Sequence, residues 1–411
     1  MFKGSRSLIT AFMVLVLFSF LVSCESDGVV GEELSPDGEQ VETNTYPVTN
    51  IEEVSDNGFS GSLNNSAMGI VQDPVYGTIT SSTLMKPSIS KQNSGIDVFP
   101  ADYSLKMMLQ LNSQKYGNEA SASSYKIYEI NQRWRGNEIR YNNPVSVDRS
   151  VEVGSFQVTD EDSVEVSLNQ PFVDRYREFF NDTTAQRDSL YRFEFPGLAI
   201  VPEDGNEKID FVRHRFATDD TTETAVSRFF VENEQDSLIA NLSAIDWGSS
   251  MERSDVPETD EGLVLHNTME QILKIEFDLD PKDFEGVEIV NAQLILNPDP
   301  GPDAVTPSGF VRPENNLIRG HAFPSEPLSL HSEIFSQQAS VGTNLNEDEE
   351  VYSLNVTQFI IDQLYGSNEL TPLYFTNQQN NGLYVSTKLF GNEAAENVRP
   401  RLIITTLNPD N

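Results

Sequence analysis

One thiol, four imidazoles, two indoles and a large excess of carboxylates are the groups in this 411-residue chain that could do chemistry. The histidines, His214, His266, His321 and His331, show no His-Glu-x-x-His or similar metal spacing, and read as surface or structural groups. No Gly-x-Ser-x-Gly elbow, Walker loop or Rossmann glycine fingerprint is present. The stretch Asp278-Leu-Asp280-Pro-Lys-Asp283-Phe-Glu-Gly286 has the flavour of a calcium loop. Its glycine and closing glutamate stand in the wrong places for an EF-hand, so a β-turn between strands explains it better. Asp299 and Asp303, with Pro298 and Pro302, make a second acidic loop. Trp134, Trp247, Tyr374 and Tyr384 are the rings that could stack on a sugar face. Arg133 and Arg135 flank Trp134 and favour its exposure, and Trp247 follows Asp246 in a loop-like stretch. The commoner fate of such rings is the core or its rim.

The thiol is the most specific signal. Lys3 and Arg6 form a positive head, Leu8 to Phe20 an apolar run without charge, and Leu21-Val-Ser-Cys24 its end. Charge, length and polarity predict a secretory signal peptide over 1–23. The run is short for a transmembrane helix, which needs ~20 apolar residues. Leu-Val-Ser-Cys resembles the lipobox of bacterial lipoproteins. That resemblance implies cleavage before Cys24, diacylation of its thiol and acylation of the new amino group. A thiol used in this way is not a catalytic nucleophile, and two or more acyl chains make anchoring durable where one is marginal.

Loss of residues 1–23 removes Lys3 and Arg6 and no acid, which takes the net charge from −37 to −39. Such a chain repels nucleic acid and anionic headgroups. The membrane is therefore met through lipid rather than through a basic patch. With Cys24 the only cysteine, no disulfide is available, and core packing must hold the fold. Residues 24–50 read as an acidic tether, extended by like charge and lacking a periodic apolar face. Glu25-Ser26-Asp27 is similar to the acidic stretch that directs some Bacteroidota lipoproteins to the outer face, although the lysine of some versions is missing. A plain solvated linker is the other reading.

From Ile51 the grammar is mainly β. Tyr103, Leu105, Met107, Leu109 and Leu111 alternate, as do Tyr125–Ile130, Ser163–Leu168 and Tyr191–Phe195, followed by Leu198–Val201. Pro171–Phe180 reads as an amphipathic helix. The second half repeats the pattern in Ile272–Leu279, Val287–Leu296, Leu373–Phe375, Leu383–Val385 and Arg401–Thr406, with a short helix over Val356–Leu364. Many short strands separated by turns predict a mainly β chain. Its two sandwich or jelly-roll-like units would span 51–245 and 262–411, with a few short helices. The acidic, least periodic stretch Trp247–Glu261 is the expected connector and the first site of proteolysis.

Phe-Asp-Leu279, Val-Asn-Ala-x-Leu-x-Leu ending at Leu296, Ser353–Gln358 and Pro400–Ile404 occur in an order that resembles the disaggregatase-related jelly-roll module, DNRLRE. The whole chain is similar to uncharacterised Bacteroidota lipoproteins, through Gly69–Gly77, Tyr116-Gly117, Tyr125–Ile130 and Phe195–Ile200. These resemblances imply a location and a fold more than an activity. They also make a structural calcium compatible with the acidic loops, including Asp278, Asp280 and Asp283. The reading that follows is a non-enzymatic outer-membrane lipoprotein with a structural or binding role, displayed at the surface or facing inward. Its partners are the membrane, through lipid, and a surface glycan or envelope protein. A glycan-binding module using Trp134 and Trp247 is the alternative, and a carboxylate-based hydrolase comes last.

Overall fold

The computed structural model describes residues 40–408, apart from 49, 144, 216–224, 258–261, 301–306, 314–315, 324–326, 328, 337–340, 347–349, 367–370 and 378–379. The chain is mainly β, in two large curled antiparallel sheets with short helices, consistent with two sandwich-like units. The first sheet runs Leu238–Leu242, Arg228–Glu232, Ser104–Asn118, Lys208–Arg213, Asn65–Asp73, Gly77–Pro87, Leu198–Pro202, Ser123–Ile130 and Val147–Val158. Its longest strand, Ser104–Asn118, alternates as expected: Leu105, Met107, Leu109 and Leu111 are buried against one core. Helix Gln170–Asn181 packs on the same core through Phe172, Val173, Tyr176 and Phe180. Asn169 caps it by accepting the Phe172 N–H at 3.0 Å, and Pro171 fits the first turn, where no backbone donor is needed.

The second sheet runs Gln40–Pro47, Arg401–Asn408, Glu288–Leu296, Val351–Asn355, Val341–Asn346, Leu317–Ala322, Leu373–Asn377, Ile272–Glu276 and Asn50–Val54. Leu273, Ile275 and Phe277 face its main core, and Leu279 is packed partly against it. Ile272 is also buried, on the opposite face with Phe323 and Tyr374, so this strand is covered on both sides. Helix Thr357–Tyr365 fulfils the expected second helix.

Five expectations change. The segment assigned to a tether enters the fold at Gln40, where Gln40–Pro47 pairs along its length with Arg401–Asn408. Asn50–Val54 pairs with Ile272–Glu276, so the start of the supposed first unit belongs to the second sheet. The connector is also a strand over much of its length: Ala244–Ser254 pairs with Gly77–Pro87 from end to end. Its buried residues include Gly248 and Ser249, and Ser249 Oγ accepts the Ala67 N–H at 2.8 Å. Small polar residues held by hydrogen bonds leave no apolar alternation to read. Residues 258–261 of that connector lie outside the described residues.

The fourth and fifth changes are local. Tyr191–Phe195 is not a strand, because Arg187–Glu194 is a helix. Tyr191 and Phe195, four residues apart, stack at 4.8 Å inside, whereas Phe193 points away and is 51% exposed. Leu383–Val385 is likewise not a strand but a buried irregular segment leading into Ser386–Phe390.

That segment joins the halves. Leu383, Tyr384 and Val385 are buried with Ala67, Val71, Ile79, Tyr116, Phe211 and Met251 of the first sheet and with Tyr141 from a turn beside it. Tyr384 donates to or accepts from Ser81 Oγ at 2.6 Å, and the Tyr141 hydroxyl donates to Asn380 Oδ1 at 2.8 Å. The approach is close enough to require glycine: Gly382 has φ +94°, and a Cβ there would lie 1.9 Å from the Asn65 carbonyl oxygen. Gly382→Ala is therefore expected to destabilise the fold by roughly 2–4 kcal/mol through backbone clash and strain. Gly205→Ala, at φ +91° with open space around it, should cost only about 1–2 kcal/mol. Equal urea midpoints for the two variants would show that the junction does not bear on stability.

Candidate functional site: a buried polar seam between the halves

Asp73 closes the hairpin between Asn65–Asp73 and Gly77–Pro87, and its side chain is wholly buried. Its Oδ1 accepts the N–H groups of Val75 at 2.7 Å and Tyr76 at 3.0 Å, the short turn that Asp-Pro and Gly77 predict. Oδ2 accepts the Tyr116 hydroxyl at 2.8 Å. From the second half, Arg312 grips the same carboxylate with Nε at 2.6 Å and Nη2 at 3.0 Å. Arg312 is placed by Phe310–Val311, a two-residue strand that pairs with the end of Ser104–Asn118. Burial alone would raise the Asp73 carboxyl. The Arg312 fork, the Val75 N–H and the Tyr116 hydroxyl outweigh burial and hold it below the usual carboxylate range.

A second pair lies along the seam. Arg253, from the strand Ala244–Ser254, holds Glu270 by Nε at 3.2 Å and Nη2 at 2.9 Å. It also donates to the Tyr76 carbonyl at 3.0 Å, while the Thr268 hydroxyl donates to Glu270 at 2.8 Å. Burial would raise Glu270, but the Arg253 charge and hydrogen bonds keep it low. The ring of His266 meets Tyr76 edge-on at 5.8 Å.

His214, His266 and His321 are interior, as one of the two sequence readings had it. His214 Nε2 pairs with Ser66 Oγ at 2.7 Å, His266 Nδ1 with Ser386 Oγ at 2.6 Å, and His321 Nε2 with Thr376 Oγ1 at 3.1 Å. Burial, with the nearby Arg215 charge, pushes His214 down to about 3. Burial and Arg253 take His266 to about 3. Burial and Arg319 take His321 to about 4. The His331 side chain lies outside the described residues.

The rings expected to meet a sugar are engaged within the protein. Trp134 is 5% exposed and donates its indole N–H to the Pro196 carbonyl at 2.7 Å. Its flanking arginines do not bring it to the surface, because the intervening side chain is buried with Leu84, Tyr128, Ile130, Ile139, Ala199 and Val201. Trp247 is half-buried: its N–H donates to the Leu63 carbonyl at 2.7 Å, His214 stacks on it at 5.3 Å, and Arg215 sits 4.9 Å from its centre. Tyr374 and Tyr384 are buried. Asp278, Asp280 and Asp283 are exposed, and Asp280 caps the turn Pro281–Phe284 by accepting the Lys282 N–H at 3.0 Å. Among the described residues, no group of three or more His, Cys, Asp or Glu is placed to hold a metal ion. Asp299 pairs with Lys388 at 2.6 Å, and Asp303 and Cys24 lie outside the described residues.

The seam sets the pH dependence. A histidine whose folded value is depressed takes up its proton near the ordinary 6.5 only when unfolded. Its stabilising effect is complete above that value and is lost as pH falls toward the folded value. Melting temperature should thus decline from pH 7 to pH 5, with one such histidine contributing roughly 1.4 kcal/mol per pH unit. A steeper loss should follow below about pH 4 as Asp73 and Glu270 protonate. Arg312→Met should destabilise by about 3 kcal/mol by leaving a buried carboxylate short of its partner. Asp73→Asn added to it should recover part of that loss. A flat profile from pH 7 to 5 would contradict buried neutral imidazoles.

No protein-family model matches the sequence, and a search of curated proteins likewise returned no match.

Proposed function

We propose that this chain is a lipid-anchored, non-enzymatic protein of the cell envelope, with a structural or binding role at the outer membrane or cell surface. The observation that carries this reading is the seam. The buried carboxylates Asp73 and Glu270 are each gripped by an arginine reaching across from the other half of the fold, and the buried histidines face hydroxyls. Groups held in this way favour a rigid body over turnover, since general acid–base work needs a group poised near the working pH and within reach of substrate. The apolar run ending in Leu-Val-Ser-Cys24 supports the anchor. Glu25 to Glu39 separate that cysteine from the first strand at Gln40. At about 3.5 Å per residue, the body would stand at most about 55 Å from its lipid.

Detergent phase partition of the full-length protein tests the reading. The wild type should enter the detergent phase and incorporate labelled palmitate, and Cys24→Ala should do neither. Wild-type protein in the aqueous phase would refute the anchor. Hydrolytic turnover on a glycan or ester panel, lost on replacing a single carboxylate, would refute the non-enzymatic role.

A further inference from the structure

The chain has two lysines buried in its first half, and they differ. Lys208, fully buried, donates to the Thr159 carbonyl at 2.6 Å. Lys86, 2% exposed at the end of the strand Gly77–Pro87, has neither a hydrogen bond nor an ion pair among the described residues. Its Nζ lies 5.6 Å from the centre of the Trp134 ring. Burial lowers its pKa, and the nearby charges of Arg135 and Arg133 act in the same direction against Asp246. The stem of Lys86 is buried while its ammonium faces the cleft, and a cation so largely withdrawn from water without an anionic partner calls for a reason.

Lys86 lines an open cleft of about 380 Å³ together with Arg133, Arg175, Arg192 and Phe193. A smaller hollow of about 300 Å³ adjoins it and shares Arg192 and Phe193. Of the three carboxylates that line the cleft, Glu129 pairs with Arg175, Asp148 accepts the Ser150 N–H at 2.9 Å and Glu194 is exposed; the four cations Lys86, Arg133, Arg175 and Arg192 outnumber them. Arg133 and Arg192 are exposed and have no carboxylate within 4 Å among the described residues. The Arg133 guanidinium lies 4.1 Å from the centre of the Phe193 ring. Two arginines without carboxylate partners and a partly enclosed ammonium thus line one cleft beside an exposed ring, in a chain of net charge −37. Guanidinium forks fit oxyanions in bidentate fashion, and a partly desolvated ammonium adds a point charge.

We propose that this cleft binds the oxyanion of a single ring-sized group, a carboxylate or sulfate on a sugar residue, with the ring lying against Phe193. The volume suits one residue. The acidic remainder of the surface repels a long polyanion, so the cleft takes an isolated or terminal acidic residue. The site would supply a ligand for the binding role proposed above, but it rests on the cleft alone and stands whether or not the protein is lipidated.

Titration calorimetry on the full-length protein at low salt, with glucuronate, glucose 6-sulfate, inorganic sulfate and glucose as probes, tests it. At least one acidic sugar should bind saturably and glucose should not; which of the two binds identifies the oxyanion. Lys86→Met should weaken binding at least tenfold while leaving the melting temperature unchanged or higher, because a largely enclosed, unpaired charge is replaced by an apolar chain of similar length. A lysine kept for structure alone would give a lower melting temperature. The exposed positions Arg133→Gln and Arg192→Gln should each weaken binding several-fold without affecting the fold, so the test survives if Lys86→Met does not fold. Phe193→Ala should weaken the acidic sugar and spare inorganic sulfate. Failure of both acidic sugars to bind, equal binding of glucose, or binding insensitive to the Lys86 and arginine variants would overturn the proposal. Detergent partition is untouched by any of these results.

Discussion

The buried carboxylate of Asp73 is the constraint on which the rest of the molecule depends. It serves three levels of structure at once. Locally it orders the turn between two central strands by accepting two backbone N–H groups. Within the first sheet it fixes Tyr116 of the longest strand. Between halves it receives the Arg312 fork. A carboxylate removed from water is tolerable only when its lone pairs are met, and here they are met by donors from three separate parts of the chain. Each part must therefore be in place before the site is satisfied, which couples turn, sheet and junction into one cooperative arrangement.

Along the same junction the coupling is repeated with different chemistry. Arg253 and Glu270 carry charge across it, Tyr384 and Ser81 a hydroxyl pair, and Leu383 and Val385 apolar area. Strand exchange adds a topological tie. Phe310–Val311 leaves the second half to pair with the first sheet, while Asn50–Val54 precedes the first-sheet strands yet pairs in the second. Neither half is a contiguous stretch of sequence. A single cut between them in the sequence would leave each without a strand or side chain that the other supplies.

How much of this was legible depended on which force placed each residue. Leu105 to Leu111, the helix from Gln170 and the strand from Ile272 were readable because apolar burial placed them, and burial leaves a period in the sequence. The seam was not readable in that way. Asp73-Pro74 announced a turn, but nothing near it in sequence announced Arg312, 239 positions away. Tyr191, Phe193 and Phe195 alternate like a strand, and only tertiary packing decides that Tyr191 and Phe195 stack while Phe193 is left outside. The same packing leaves Phe193 as the exposed ring and buries Trp134, although Arg133 beside Trp134 is on the surface, with its guanidinium 4.1 Å from the centre of the Phe193 ring.

Two of the strands absent from the sequence reading share one cause. Gln40–Pro47 and Asn50–Val54 are the two edges of the second sheet. An edge presents unpaired backbone donors and acceptors to any passing strand, and polar or charged side chains are the usual protection. Glu42, Thr43, Asn44 and Thr45 on one edge, and Glu52 and Glu53 on the other, supply it. These residues are held by ladder hydrogen bonds to Arg401–Asn408 and Ile272–Glu276, with side-chain ties such as Thr43 to Thr405 at 3.1 Å and Lys274 to Glu52 at 3.5 Å. The polarity that shields an edge is the polarity that marks a linker, so composition alone could not separate the two. Part of the chain's large negative charge is in this sense a property of the fold: it lies where a sheet must end without recruiting a neighbour.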